Sequence, residues 1–276
     1  MGMHGGPRKS SDTLPTMMQR FTRESKQLWS ALVALDRQTV VVLTMASVLG
    51  MWKYTFGSRA FFNRELGSSF GVADDGLWGW FYLFGTQGLI GFMLPAAVLL
   101  LAFQRKPSEI GLGLGDWKLG LALLGLYVPL VAAGCWVLSA QESFQQKYPL
   151  NRDVSSDWGL FLAYELLFVF YWFGWEYLWR GFTLFGTAHT FGHWAIFIQM
   201  LPFAALHAQK PTAEAYLSIL GGLVLGTVVW RCRSFWIAVP FHALQMLAID
   251  LCCTLRLRSE VEGIGPGALI EAIRAL

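Results

Sequence analysis

Seven apolar stretches separated by short polar ones fill most of this chain, near residues 39–56, 77–103, 118–140, 160–188, 193–208, 213–230 and 235–254. A helix needs about 20 apolar residues to cross a bilayer. The pattern therefore predicts an all-α, polytopic integral membrane protein with seven or eight transmembrane helices, the eighth hidden within the longer stretches. The fourth stretch is long enough to tilt or protrude, and the fifth is short. Ahead of them lies a polar N-terminal tail, residues 1–38. Its first sixteen residues are rich in Gly, Ser and Pro and read as disordered. Residues 17–36 interleave Met18, Phe21, Leu28, Leu32 and Leu35 with Arg20, Arg23 and Lys26, the spacing of an amphipathic helix on a membrane surface or of a solvated linker helix. Residues 39–255 read as a single transmembrane domain and 256–276 as a short C-terminal tail. The first long apolar run starts only near Thr39, so no cleavable signal peptide is expected.

Composition supports the same class. The chain is 55% hydrophobic and 14% charged, against about 25% charged in soluble domains. Thirteen Trp and twenty-one Phe suit lipid-facing helices with aromatic belts at their ends. A formal charge of +3 is too small to imply nucleic acid as a partner; the bilayer is the expected one. Basic flanking residues favour a cytoplasmic N-terminus by a small margin, and seven lysines against fourteen arginines point towards a bacterial inner membrane. Four cysteines without a C-x-x-C spacing read as small buried hydrophobes.

Within the fourth stretch stand two charges, Glu176 and Arg180. A charge at the centre of a membrane helix costs about 2.5–3.5 kcal/mol even on insertion scales. At i and i+4 the two side chains share a helical face, with Glu on the favourable N-terminal side. A purely structural ion pair is the plainer alternative. His207 and His242 lie in later apolar stretches. If the fourth and fifth stretches form a hairpin turning near Thr190, Glu176 lies 14 residues before the turn and His207 lies 17 after it. At about 1.5 Å per residue their depths differ by roughly 5 Å. His242, counted from the Arg231–Arg233 turn, sits roughly 10 Å shallower by the same rise. Glu165, three turns above Glu176, reads as a helix-end or access-channel residue, and Glu214 as a surface partner for Lys210.

One carboxylate and two imidazoles suit hydrolysis. Glu176 and His207 can hold and deprotonate a water, and His242 can donate to a developing oxyanion. Arg180 would fix Glu176 and keep it ionised. No cofactor is required by this scheme. The same trio can ligate zinc as a His₂Glu set, which stays open, although the chain has no His-Glu-x-x-His run.

These residues bring a known family into view. The chain resembles the CAAX-protease and bacteriocin-processing (CPBP, or Abi) intramembrane endopeptidases. Their pattern is Glu-Glu-x-x-x-Arg, then Phe-x-x-x-His, then His-x-x-x-Asn or Asp, each on a membrane helix. Here Trp175-Glu176 precedes Arg180-Gly181-Phe182, Phe203 precedes His207, and His242 precedes Met246. The resemblance covers about residues 105–255, including the stretch from Glu109 to Trp117. Two positions depart from it: Trp175 replaces the first glutamate, and Met246 replaces the polar amide. Gln245 offers an amide on a neighbouring helical face, and Asp250, two turns below His242, is placed to orient that imidazole.

The resemblance implies an endopeptidase that cleaves a membrane-anchored protein or peptide. Glu176, His207 and His242 would be catalytic, supported by Arg180, Phe203, Gln245 and Asp250. The two departures make a catalytically inactive family member, binding or regulating a membrane protein, the alternative. A small transporter is a third class, disfavoured because no internal repeat is present.

Overall fold

In the computed structural model, which describes residues 17–71 and 77–274, every regular element is helical. Twelve α-helices follow one another: α1 (Met17–Val33), α2 (Arg37–Tyr54), α3 (Arg59–Phe61), α4 (Trp78–Ala97), α5 (Trp117–Leu138), α6 (Glu142–Lys147), α7 (Trp158–Glu176), α8 (Leu184–Phe191), α9 (Ala195–Ala205), α10 (Thr212–Cys232), α11 (Ala238–Ser259) and α12 (Pro266–Arg274). The chain divides into two units, residues 1–37 and 38–276. In the first, α1 exposes its apolar Met18, Phe21, Leu28 and Leu32. The reading of residues 1–16 as disordered falls outside the described residues.

The number of spans is smaller than the apolar pattern suggests. Among the described residues five helical runs are long and apolar enough to cross a membrane: residues 78–102, 117–138, 158–205, 212–232 and 235–259, with the pair Met17–Val33 and Arg37–Tyr54 counting at most as a sixth. α2 alone falls short because Arg37, Gln38 and Lys53 dilute it. The fourth and fifth stretches belong to one helical run of 48 residues. Straight, it would reach about 72 Å, more than twice the hydrocarbon thickness of about 30 Å. It therefore folds back on itself.

The reversal happens at Gly192, whose φ of 55° and ψ of −134° lie where only glycine is at ease. Beyond it α9 returns antiparallel against α8 and the segment Tyr177–Thr183. At 11 residues α9 spans about 16 Å, so the fifth stretch is a half-length return and not a full crossing. Tyr177–Thr183 itself is wound as a π-helix continuous with α7 and α8. There the Thr183 hydroxyl donates to the Leu178 carbonyl five residues back at 2.7 Å, serving a backbone acceptor in the widened turn.

α4 packs along α7. Phe84 stacks on Phe168 with ring centroids 4.4 Å apart. At Gly88 and Gly174 the two backbones come so close that an added methyl group would strike the neighbouring helix; small residues allow this approach in membranes. Gly222 and Gly226 on α10 likewise face α9, at Met200 and Gln199. α5 lies at the periphery and exposes Leu121, Leu126 and Leu130, as a lipid-facing helix does.

Candidate active site

Glu176 closes α7 and Arg180 lies one turn on, both fully buried. The Nη1 of Arg180 donates to Oε1 of Glu176 at 3.1 Å. His242 on α11 places its Nδ1 2.5 Å from the same oxygen. A carboxylate only accepts, so Nδ1 carries the ring proton and Nε2 keeps a lone pair. Trp172 stacks against the His242 ring with centroids 3.9 Å apart and fixes its plane.

The expected 10 Å offset of His242 is absent, and Phe235 explains why. It is fully buried and packs on Phe173 at 5.7 Å and Tyr177 at 4.9 Å. The turn between α10 and α11 is thereby drawn into the bundle, which carries His242 down to the depth of Glu176.

His207 follows the end of α9. Its Nδ1 donates to the Phe203 carbonyl at 2.7 Å, because a carbonyl can only accept. Its Nε2 is again the lone-pair nitrogen. Burial pushes the pKa of His207 down to about 3, so the ring is neutral in ordinary buffers. Phe203 links the group: its ring lies 4.5 Å from that of His207 and 6.1 Å from that of His242, and the Arg180 guanidinium sits 4.0 Å above it.

These side chains surround a cavity of about 520 Å³. Arg180, Phe203, His207, His242 and Gln245 all line it, as do Trp172, Trp175 and Met246. Glu176 stands behind His242, outside the lining. Tyr127 donates to Oε1 of Gln245 at 2.5 Å, leaving the amide NH₂ as its free donor. Apolar side chains of α5 and α10, among them Val131, Leu138, Leu220 and Val224, form a large part of the wall.

Asp250 does not orient His242. The Nδ1 it would need is held by Glu176, and neither Asp250 oxygen has a hydrogen-bond partner among the described residues. The Asp250 and Glu165 carboxyls are buried, away from the cavity lining. Among the described residues no group of three or more His, Cys, Asp or Glu side chains is arranged to hold a metal ion.

Four further residues reach this cavity, and sequence reasoning had given none of them a role there. Lys53 of α2 lines it with its ammonium 3.9 Å from the centroid of the Trp175 ring. At another part of the wall Lys210 donates to the Tyr148 hydroxyl, which donates to both oxygens of Glu214 at 2.7 and 2.6 Å. Lys210 also pairs with Glu214 at 3.4 Å. Burial lowers the Lys210 pKa while Glu214 raises it back, and burial with Glu214 raises that of Tyr148. Glu214 is thus a half-buried cavity residue and not a fully solvated surface one. The signal that could have found it is its i, i+4 spacing from Lys210 beside a membrane segment.

Residues 157–248 match the family described as type II CAAX prenyl endopeptidase Rce1-like. This third of the chain is Rce1-like. The match holds Glu176, Arg180, Phe203, His207 and His242 in one segment, in agreement with the CPBP resemblance carried by the motifs. The Rce1-like segment runs from the cap of α7 to the middle of α11 and so supplies most of the polar groups at the cavity; Lys53 and Tyr127 come from outside it. No curated protein and no solved structure matches the chain. Residues 157–248 are thus similar to that family, within a chain whose helices are those of a multi-pass membrane protein.

Proposed function

We propose that the chain is an intramembrane endopeptidase of the CAAX prenyl protease-like, glutamic type, and that it cleaves a membrane-anchored protein or peptide in this cavity. The observation that carries the reading is the contact of Glu176 with His242 Nδ1, made beside a mostly apolar cavity that His242 and His207 both line. Two imidazoles presenting Nε2 lone pairs can each accept a hydrogen from one water, which leaves a water lone pair aimed at the scissile carbonyl.

As the water oxygen adds to the carbonyl carbon, its proton passes to Nε2 of His242. Glu176, held by Arg180, stabilises the imidazolium that results, as a buried carboxylate does behind a catalytic histidine. His242 then returns the proton to the leaving amine. The base is therefore the His242–Glu176 unit and not Glu176 alone. A protonated His242 replaces the neutral oxyanion donor expected from the sequence, and the free amide of Gln245 serves the oxyanion. Arg180 keeps Glu176 paired in a dry interior, where an isolated carboxylate is very costly.

Trp175 and Met246, apolar where the resembled family is polar, favour a second reading, in which the cavity binds a membrane protein without cutting it. One experiment separates the two. Full-length protein in liposomes is incubated with a lipid-anchored peptide reporter bearing a CAAX-type terminus, and the products are read by mass spectrometry. A new terminus with wild type, absent with His242→Ala, is the result expected of an endopeptidase. Retention of intact reporter by both proteins is the result expected of a binding partner.

A further inference from the structure

The cavity carries more positive charge than its carboxylates balance. Arg180 is paired with Glu176 and Lys210 with Glu214. Lys53 and Lys147 also line it, and among the described residues neither has a carboxylate within ion-pair distance. Lys53 lies beside Trp175, whose ring is 6.3 Å from that of Phe203, the residue packed between the two imidazoles. Its ammonium lies over the Trp175 ring at 3.9 Å, with Tyr54 at 5.0 Å and Tyr171 at 5.2 Å. Aromatic faces attract an ammonium, so a protonated Lys53 can meet negative charge that develops beside Trp175. It also stands beside Trp175, where the resembled family has a glutamate, and the apolar Met246 leaves the cavity short of a donor.

We propose that Lys53 is a further catalytic residue of this site, whose ammonium, carried on the face of Trp175, faces the oxyanion formed in peptide cleavage. The proposal rests on the endopeptidase reading. When the water oxygen bonds to the carbonyl carbon, the carbonyl π pair moves onto oxygen, and the water proton goes to His242. A protonated Lys53 meets that negative charge in a mostly apolar chamber. On collapse the pair returns to re-form C=O, the C–N bond breaks, and His242 protonates the amine.

The test measures cleavage of the lipid-anchored reporter by wild type and by Lys53→Met, Lys53→Gln, Lys53→Arg and His242→Ala in liposomes. Loss of one oxyanion donor lowers kcat by about 10²–10³-fold. Lys53→Met should show that fall with KM within about threefold and an unchanged melting temperature, since methionine still packs on Trp175. Lys53→Gln covers the case in which Lys53→Met fails to fold. Lys53→Arg, which keeps the charge, should recover much of the lost rate. Full activity of Lys53→Met or Lys53→Gln alongside an inactive His242→Ala overturns the role of Lys53 and leaves the endopeptidase reading standing. A loss confined to KM, or no rescue by arginine, also overturns it. Failure of wild type to cleave removes both.

Discussion

His242 Nδ1 and Glu176 Oε1 lie 2.5 Å apart although 66 residues separate them along the chain. The same carboxylate oxygen accepts from Arg180 at 3.1 Å. Glu176 is thus held from its own helix by a guanidinium and from α11 by an imidazole, with its other oxygen unpartnered and buried. The two contacts differ in kind, and stability should tell them apart. Removing Arg180 strands a buried charge, a loss of about 3–5 kcal/mol in comparable pairs. Removing His242 leaves the ion pair and deletes one hydrogen bond, about 1–3 kcal/mol. Melting temperatures in detergent should therefore fall in the order wild type, His242→Ala, Arg180→Ala. Equal values for the two variants would mean that the guanidinium does not carry the charge of Glu176.

His207 gives the site an acid limit. It lies two residues beyond the apolar run that ends at Ala205, and burial holds its pKa near 3. An unfolded histidine titrates near 6.5. Between these values the unfolded chain binds the proton and the folded chain does not, so stability falls as pH drops from about 6.5 towards 3. The His207→Gln variant lacks this contribution. Thermal melts across that range should show wild type losing more stability than His207→Gln. Parallel curves would show that the folded state takes the proton freely.

Gly192 sets where His207 arrives. Its φ of 55° with ψ of −134° costs a residue with a Cβ about 1–3 kcal/mol. Nothing lies within 4 Å of an added Cβ, so a loss in Gly192→Ala would come from backbone strain and not from a clash. The variant should melt lower than wild type and cleave more slowly, because α9 hangs from this turn. An unchanged melting temperature would contradict the strained geometry.

Glu176, Arg180, His207 and His242 were legible because charge and imidazole are expensive inside apolar runs, and a reversal close to Thr190 was legible in the short polar break between the fourth and fifth stretches. Other features depend on packing that periodicity does not encode. The depth of His242 depends on Phe235 being drawn into the bundle. Asp250 shares a helical face with His242 in the sequence, yet Glu176 takes the Nδ1 that it would need. Lys53, at the end of α2, reads as a lysine that extends to the interface, and only the tertiary structure turns it onto Trp175. The count of spans fell because α2 is diluted by polar residues and because the fifth stretch returns only half-way.

Glu176→Gln puts the account to its most direct test. The amide keeps the shape of the side chain and an oxygen that can accept from Arg180 and His242, but it removes the charge that stabilises a protonated His242. Cleavage of the lipid-anchored reporter by liposome-embedded protein, with folding checked by melting temperature, should fall by about 10²–10⁴-fold while the protein stays folded. A folded Glu176→Gln variant that cleaves at the wild-type rate would contradict catalysis by the Glu176–His242 pair.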